Sequence, residues 1–191
     1  IWAGKLPLKR NSTSADLGLD IGVVCIPLKG ETRCGDNWLV RKGAESSRCM
    51  LIDGLGHGQI ASEAAEAAID VFRTMPDREL EPLFLAMHNG IKHTRGAAIA
   101  IADVTDDTVS YTGLGNISGA IVAQDASVKN MISYNGTVGH SFHKAKVLSY
   151  PIAPKSLIVM HSDGLGTSWR LDNYPGLASR HPSLIAGVLY R

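Results

Sequence analysis

No apolar run in this 191-residue chain approaches the ~20 residues of a membrane-spanning helix, so the sequence gives no sign of a membrane protein. An excess of charge of one sign is missing too. Nineteen Lys and Arg stand against eighteen Asp and Glu, a formal net charge of +1, and nothing in that balance requires nucleic acid or an anionic membrane as partner. The start, Ile1-Trp2-Ala3-Gly4-Lys5-Leu6-Pro7, lacks the basic, apolar, small-residue order of a secretory signal. It also lacks an initiator methionine, and the expectation is a chain cut from something longer. Cysteine is sparse: Cys25, Cys34 and Cys49 cannot all pair, and no two are spaced C-x-x-C. Reduced thiols in a cytoplasmic protein are expected, rather than a metal or redox site. There is no internal repeat and no low-complexity segment.

What remains is an ordinary composition, 45% hydrophobic and 19% charged, with enough length for one sizeable core and too little for two. Residues 1–16, turn-prone from Lys9 to Ser14, read as a linker or tail, and residues 17–191 as the domain. Alternation of Leu17, Leu19, Ile21 and Val23 predicts a strand running on to Ile26, with further strands at 37–41 and 48–52. Ile60, Ala64, Ala67, Ala68, Val71, Phe72 and Met75 recur at three- and four-residue steps, which predicts a helix that Pro76 stops. A second helix, about 79–93, carries Leu80, Leu83, Phe84, Met87 and Ile91. Beyond Gly96 the period becomes two, with strands expected at 97–104, 108–112, 119–123, 128–134, 147–150 and 157–161, then a helix at 182–190. Strands, two consecutive helices and a run of strands do not alternate as a doubly wound parallel sheet does. The order fits an α+β layered sandwich of mainly antiparallel sheets covered by helices.

Three aspartates carry the chemistry. Asp53 ends the apolar strand Met50-Leu51-Ile52 and leads into Gly54-Leu55-Gly56-His57-Gly58. Asp163 follows the strand 157–161 and leads into Gly164-Leu165-Gly166. Asp36 follows Cys34-Gly35 at the start of another strand. An Asp-Gly after a strand is a common turn signal, so either segment alone reads as a turn. Two Asp-Gly-Leu-Gly segments at the ends of apolar strands point instead to a shared metal site. A carboxylate at the mouth of a buried strand is costly unless paired or bound to a cation. A neighbouring glycine permits close approach and φ > 0, and exposes its carbonyl as a further oxygen ligand. Mg²⁺ and Mn²⁺ prefer carboxylates, carbonyls and water.

Other residues carry weaker signals. His57, in the glycine loop, could protonate a leaving oxygen or bind phosphate, and an exposed loop histidine without duty is an equal reading. His140 and His143 lack companion ligands for zinc. Arg33 could steer a phosphate, but a solvated turn arginine is the better reading. Ser162 has no G-x-S-x-G elbow around it, and Gly54, Gly56 and Gly58 do not make a dinucleotide loop.

Cys34-Gly35-Asp36-Asn37-Trp38, Asp53-Gly54-Leu55-Gly56-His57-Gly58, Arg95-Gly96-Ala97-Ala98, Gly113-Leu114-Gly115-Asn116 and Ser162-Asp163-Gly164-Leu165 occur in an order that resembles the type-2C metal-dependent protein phosphatases. The similarity is greatest to their bacterial sporulation and stress-response branch, SpoIIE-like and RsbX-like, and covers about 17–191. The resemblance implies two stacked antiparallel sheets flanked by helices, an αββα sandwich. It implies that Asp53 bridges two Mn²⁺ or Mg²⁺ ions, that Gly54 ligates through its carbonyl, that Asp163 holds the second metal, and that Asp36 sits beside the first. Gly115-Asn116 and Arg95-Gly96 would be structural turns. The implied substrate is phosphoserine or phosphothreonine on a partner protein, typically a sigma-factor regulator or its antagonist, with a kinase-like domain conceivable before Ile1. The family pattern ends in a further strand with an aspartate that completes the second metal site, and this chain stops before it. An incomplete second site is therefore expected. The alternative reading is a pseudophosphatase or sensor that binds a phosphoprotein or kinase.

Overall fold

The computed structural model describes residues 2–5, 19–75, 79–142, 144–166 and 168–191. Among these described residues, ten strands and three α-helices form four layers. One sheet has the order β3-β4-β5-β6-β9, with β3 Asp36–Lys42, β4 Ser47–Gly54, β5 Ala97–Val104, β6 Thr108–Leu114 and β9 Leu148–Pro151. The other has the order β2-β1-β10-β7-β8, with β1 Trp2–Lys5, β2 Asp20–Val23, β7 Ser118–Val122, β8 Val128–Met131 and β10 Leu157–His161. Every pairing between these strands is antiparallel, as the sequence order led us to expect.

The strand β5, Ala97-Ala98-Ile99-Ala100-Ile101-Ala102-Asp103-Val104, shows how period two builds the layers. Ala98, Ala100 and Ala102 join the core between the sheets, against Tyr111, Ile121, Ile158 and Met160. Ile99 and Ile101 face the other way and pack with Phe72, Leu83, Phe84 and Met87 of the helices α1, Gly58–Thr74, and α2, Leu80–Gly90. Each such aliphatic or aromatic side chain removed from water contributes about 1.5–3 kcal/mol. On the far side, α3, Pro182–Leu189, covers the second sheet through Ile185, Ala186 and Leu189 against Val122, Leu157 and Val159. The result is the αββα sandwich.

Differences from expectation have local causes. Residues 2–5, read as part of a linker or tail, are a strand hydrogen-bonded between β2 and β10; four residues are too few to show a period. Residues 6–18, including Leu17, lie outside the described residues. The apolar stripe of α1 runs through Ala61, Ala64, Ala65, Ala68, Ile69 and Phe72, while Ile60 is 52% exposed. The many alanines of α1 leave the phase of the stripe ambiguous by one residue. Among the described residues, no helix is long and apolar enough to cross a membrane.

Candidate metal centre

The two sheets bring their strand ends together at one edge of the sandwich. Asp36, the first residue of β3, lies opposite Asp53, near the end of β4, in the antiparallel register. Asp163 arrives from the other sheet, just past β10. Asn116, in the turn between β6 and β7, donates from Nδ2 to Asp53 Oδ2 at 3.3 Å and to Asp163 Oδ2 at 3.1 Å. A carboxylate only accepts, so the amide must present its NH₂ group to both. Ser162 closes a second link across the sheets, donating from Oγ to Asp36 Oδ2 at 2.6 Å.

Crowding of like charges marks Asp53 out. Burial first, and then the facing charges of Asp36 and Asp163, push its carboxyl up to about 7, while the Asn116 hydrogen bond opposes the rise. Such a carboxylate gains from a cation that neutralises its neighbours. The donors are all oxygens, which fits a hard ion. Among the described residues, no three His, Cys, Asp or Glu are drawn tightly enough together to hold an ion by themselves. Asp36 and Asp53 form an adjacent pair, and Asp163 is joined to Asp53 through Asn116. Mg²⁺ dehydrates reluctantly and is usually held by one or two carboxylates with water completing its shell, so the adjacent pair fits that ion.

The glycine after Asp53 serves close packing. Gly54 is buried, and a Cβ there would overlap the Ala61 carbonyl of α1. It is not among the residues with positive φ, so contact with the helix, rather than a left-handed conformation, is what requires glycine here. Gly115 has φ 98, and a Cβ would collide with Ala98. The turn that the family resemblance implies at Gly115 is present, but Asn116 does more than turn the chain.

His57 ends the loop as the N-cap residue of α1 and is 68% exposed, its Nδ1 lying 2.6 Å from Glu31 Oε1. Arg33 pairs with Glu66 of α1 at 3.4 Å, both more than half exposed. His140 is bonded through Nε2 to the Thr94 carbonyl, and His143 lies outside the described residues. Cys49 is buried between the sheets, whereas the Sγ atoms of Cys25 and Cys34 are 3.3 Å apart.

Sequence reasoning missed three contributors. For Asn116 the family resemblance implies only a structural turn, and its partners Asp53 and Asp163 are 63 and 47 residues away. Ser162 was weighed as a nucleophile, and its partner Asp36 is 126 residues away. His161 is buried, which lowers its pKa, and its Nδ1 bonds the Ser162 carbonyl while Nε2 accepts from Trp169 Nε1. The neutral tautomer this fixes ties the Ser162–Asp163 turn to the segment that follows. A cleft of about 620 Å³ opens beside the centre, lined in part by Asn116, Asn130, Ser133, His161, Trp169 and Arg170.

No family model matches the chain. It is 22% identical over 139 residues to the phosphoserine phosphatase RsbX of Bacillus subtilis (strain 168), covering 72% of this chain and 70% of that protein. A solved chain from the bacterial stressosome, a modular system adapted to control secondary messenger signalling, is 25% identical. It superposes with a TM-score of 0.79 over 88% of this chain and 90% of its own. The crystal structure of RsbX in complex with magnesium gives a TM-score of 0.74 at 20% identity, over 90% and 85% of the two chains. In sequence and in fold the chain resembles the type-2C metal-dependent phosphatases, on the RsbX-like side of that family.

Proposed function

We propose that the chain is a metal-dependent protein serine/threonine phosphatase that hydrolyses phosphoserine or phosphothreonine on a regulatory partner protein. The observation that carries this reading is the convergence of Asp36, Asp53 and Asp163 from two sheets onto one edge, linked by Asn116 and Ser162. Asp36 and Asp53 would hold a Mg²⁺ or Mn²⁺ ion, with the Gly54 carbonyl alongside, and Asp163 would face a second. A divalent ion so placed supplies a water of lowered pKa and positive charge for a phosphoryl group. The chain's own residues set the geometry. Ser162 fixes the orientation of the Asp36 carboxylate, and Asn116 holds Asp53 and Asp163 at a set separation. His57, exposed at the rim, is available to the phosphoester or its leaving oxygen. The cleft beside Asn116 has room for residues flanking a phosphoserine. A sigma-factor regulator is the partner class that fits the similarity to RsbX, and three unpaired cysteines fit a cytoplasmic setting.

One observation favours a second reading, a catalytically impaired sensor that binds a phosphoprotein: the described carboxylates make one close pair and one indirect partner instead of a closed cage. Hydrolysis of p-nitrophenyl phosphate with Mn²⁺ separates the two. Wild type should turn over and Asp53→Asn should not. Equal rates would remove Asp53 from the site, and an inactive wild type that still binds Mn²⁺ would favour the sensor.

A further inference from the structure

The segment from Cys25 to Cys34 leaves β2 and returns to β3 with its two ends pinned by thiols. Cys25 Sγ and Cys34 Sγ are 3.3 Å apart. Each thiol also meets a backbone carbonyl near the other: Cys25 Sγ lies 3.4 Å from the Asp36 carbonyl, and Cys34 Sγ 3.4 Å from that of Ile26. Between them the loop is tied to α1 at two points, by Glu31 against the N-cap residue His57 and by Arg33 against Glu66 in the middle of the helix. Cys25 is exposed and Cys34 half-buried, whereas Cys49 is sealed in the core. Two thiols with such a separation, on a solvent-facing loop, are a modification site that spacing alone did not reveal.

We propose that Cys25 and Cys34 form a reversible disulfide under oxidation by a peroxide, and that this bond alters the backbone at Asp36. One thiol takes an oxygen from the peroxide, giving a sulfenic acid and one water. The second thiol's sulfur then attacks the sulfenyl sulfur, the S–S bond forms, and a second water leaves. Both cysteines are oxidised and the peroxide is reduced, with no further reactant. A disulfide needs the sulfurs at about 2.05 Å, so they must close by roughly 1.2 Å. The product has no S–H, so the Asp36 carbonyl loses its Cys25 donor at the same time as Cys34, two residues before Asp36, is pulled towards Cys25. Displacing an active-site group by ~1 Å can cost on the order of 10²-fold in rate. The effect on activity rests on the phosphatase reading above, whereas the disulfide and the backbone change do not.

The test treats the reduced protein with hydrogen peroxide and follows four readouts. Intact mass should fall by about 2 Da, the two hydrogens lost in forming one disulfide, and denaturing alkylation should find one free thiol, Cys49, where there were three. The backbone amide signals of Asp36 and Asn37 should shift in ¹H–¹⁵N spectra. Phosphatase activity should drop at least tenfold and return with dithiothreitol. Cys25→Ser and Cys34→Ser should abolish the mass change and the reversible loss, and Cys49→Ser should behave as wild type. Three surviving thiols, a bond between chains, or unmoved Asp36 and Asn37 signals would each overturn the proposal. The same loss of activity in Cys25→Ser would overturn it as well. A reduced protein without phosphatase activity would count against the phosphatase reading alone, because mass and amide shifts still decide the disulfide.

Discussion

Asp53-Gly54-Leu55-Gly56 and Asp163-Gly164-Leu165-Gly166 are the same four residues in the same order at the ends of apolar strands, and the fold uses them differently. The first leads straight into α1. Gly54 is pressed against the Ala61 carbonyl, Gly56 takes φ 102, and Leu55 is 39% exposed. The second lies in an open turn. A Cβ at Gly164 would come no nearer than 3.8 Å to Ser162 Oγ, one at Gly166 would meet nothing within 4 Å, and Leu165 packs against the α3 core. Asp53 is half-buried among like charges, whereas Asp163 is exposed and held by one amide. A shared tetrapeptide therefore does not imply a shared constraint. The element that follows decides whether its glycines are needed and how far its aspartate is desolvated.

Breaking the comparison at the aspartates should give the largest effect. Asp53→Asn removes the carboxylate that both Asp36 and Asp163 act on, and a loss of about 10³-fold in kcat/KM is expected, the several kcal/mol that charge stabilisation by a bound ion supplies. Asp163→Asn should cost less, roughly 10–10²-fold, since Asp36 and Asp53 remain as a pair. Steady-state kinetics with Mn²⁺ in excess reads both. Losses of equal size would erase the asymmetry drawn from burial.

Breaking it at the glycines concerns stability. Gly54→Ala places a methyl group on backbone atoms of α1, which cannot move aside as a flexible side chain could. A destabilisation of about 3 kcal/mol is expected, at the upper end of ordinary overpacking, read as a lowered midpoint in urea with an unchanged slope. A variant as stable as wild type would mean that α1 can slide on the sheet, and Asp53 would then be less firmly placed than the contacts indicate.

The layers of the fold were legible because period two in the strands and period 3.6 in α2 are written in aliphatic residues, as at Ile99 and Ile101 or Leu83, Phe84 and Met87. Asp53 and Asp163 were legible as a pair through their repeated context. Asn116 and Ser162 were not, because their partners sit on other strands and only the sandwich brings them within reach. The strand at 2–5 was hidden by brevity, and the Cys25–Cys34 approach by a loop whose return path no local pattern specifies. What sequence could supply were the groups that bear charge, while the groups that orient them depend on tertiary contact.

Asn116 tests that division. Asn116→Ala leaves all three carboxylates and removes only the amide that spaces Asp53 from Asp163. An outer-shell partner of this kind is worth roughly 10–100-fold in metal affinity, so the Mn²⁺ concentration for half-maximal activity should rise by that factor, with kcat at saturating metal much less affected. Loss of kcat with unchanged metal dependence would place the amide against the substrate instead of the ligands.

The smallest effect belongs to the open turn, and it is the one that most directly checks the contrast between the two tetrapeptides. Gly164→Ala and Gly166→Ala add a methyl group where the structure offers space, and neither residue has a positive φ. Removing a glycine also reduces the freedom of the unfolded chain, which favours the folded state slightly. Each variant should lie within about 0.5 kcal/mol of wild type, with activity nearly unchanged, measured by the same urea titrations and assays as Gly54→Ala. A large loss at Gly164 would mean that the turn closes tightly around Asp163 when an ion is bound, and the two tetrapeptides would then be equivalent in the working protein.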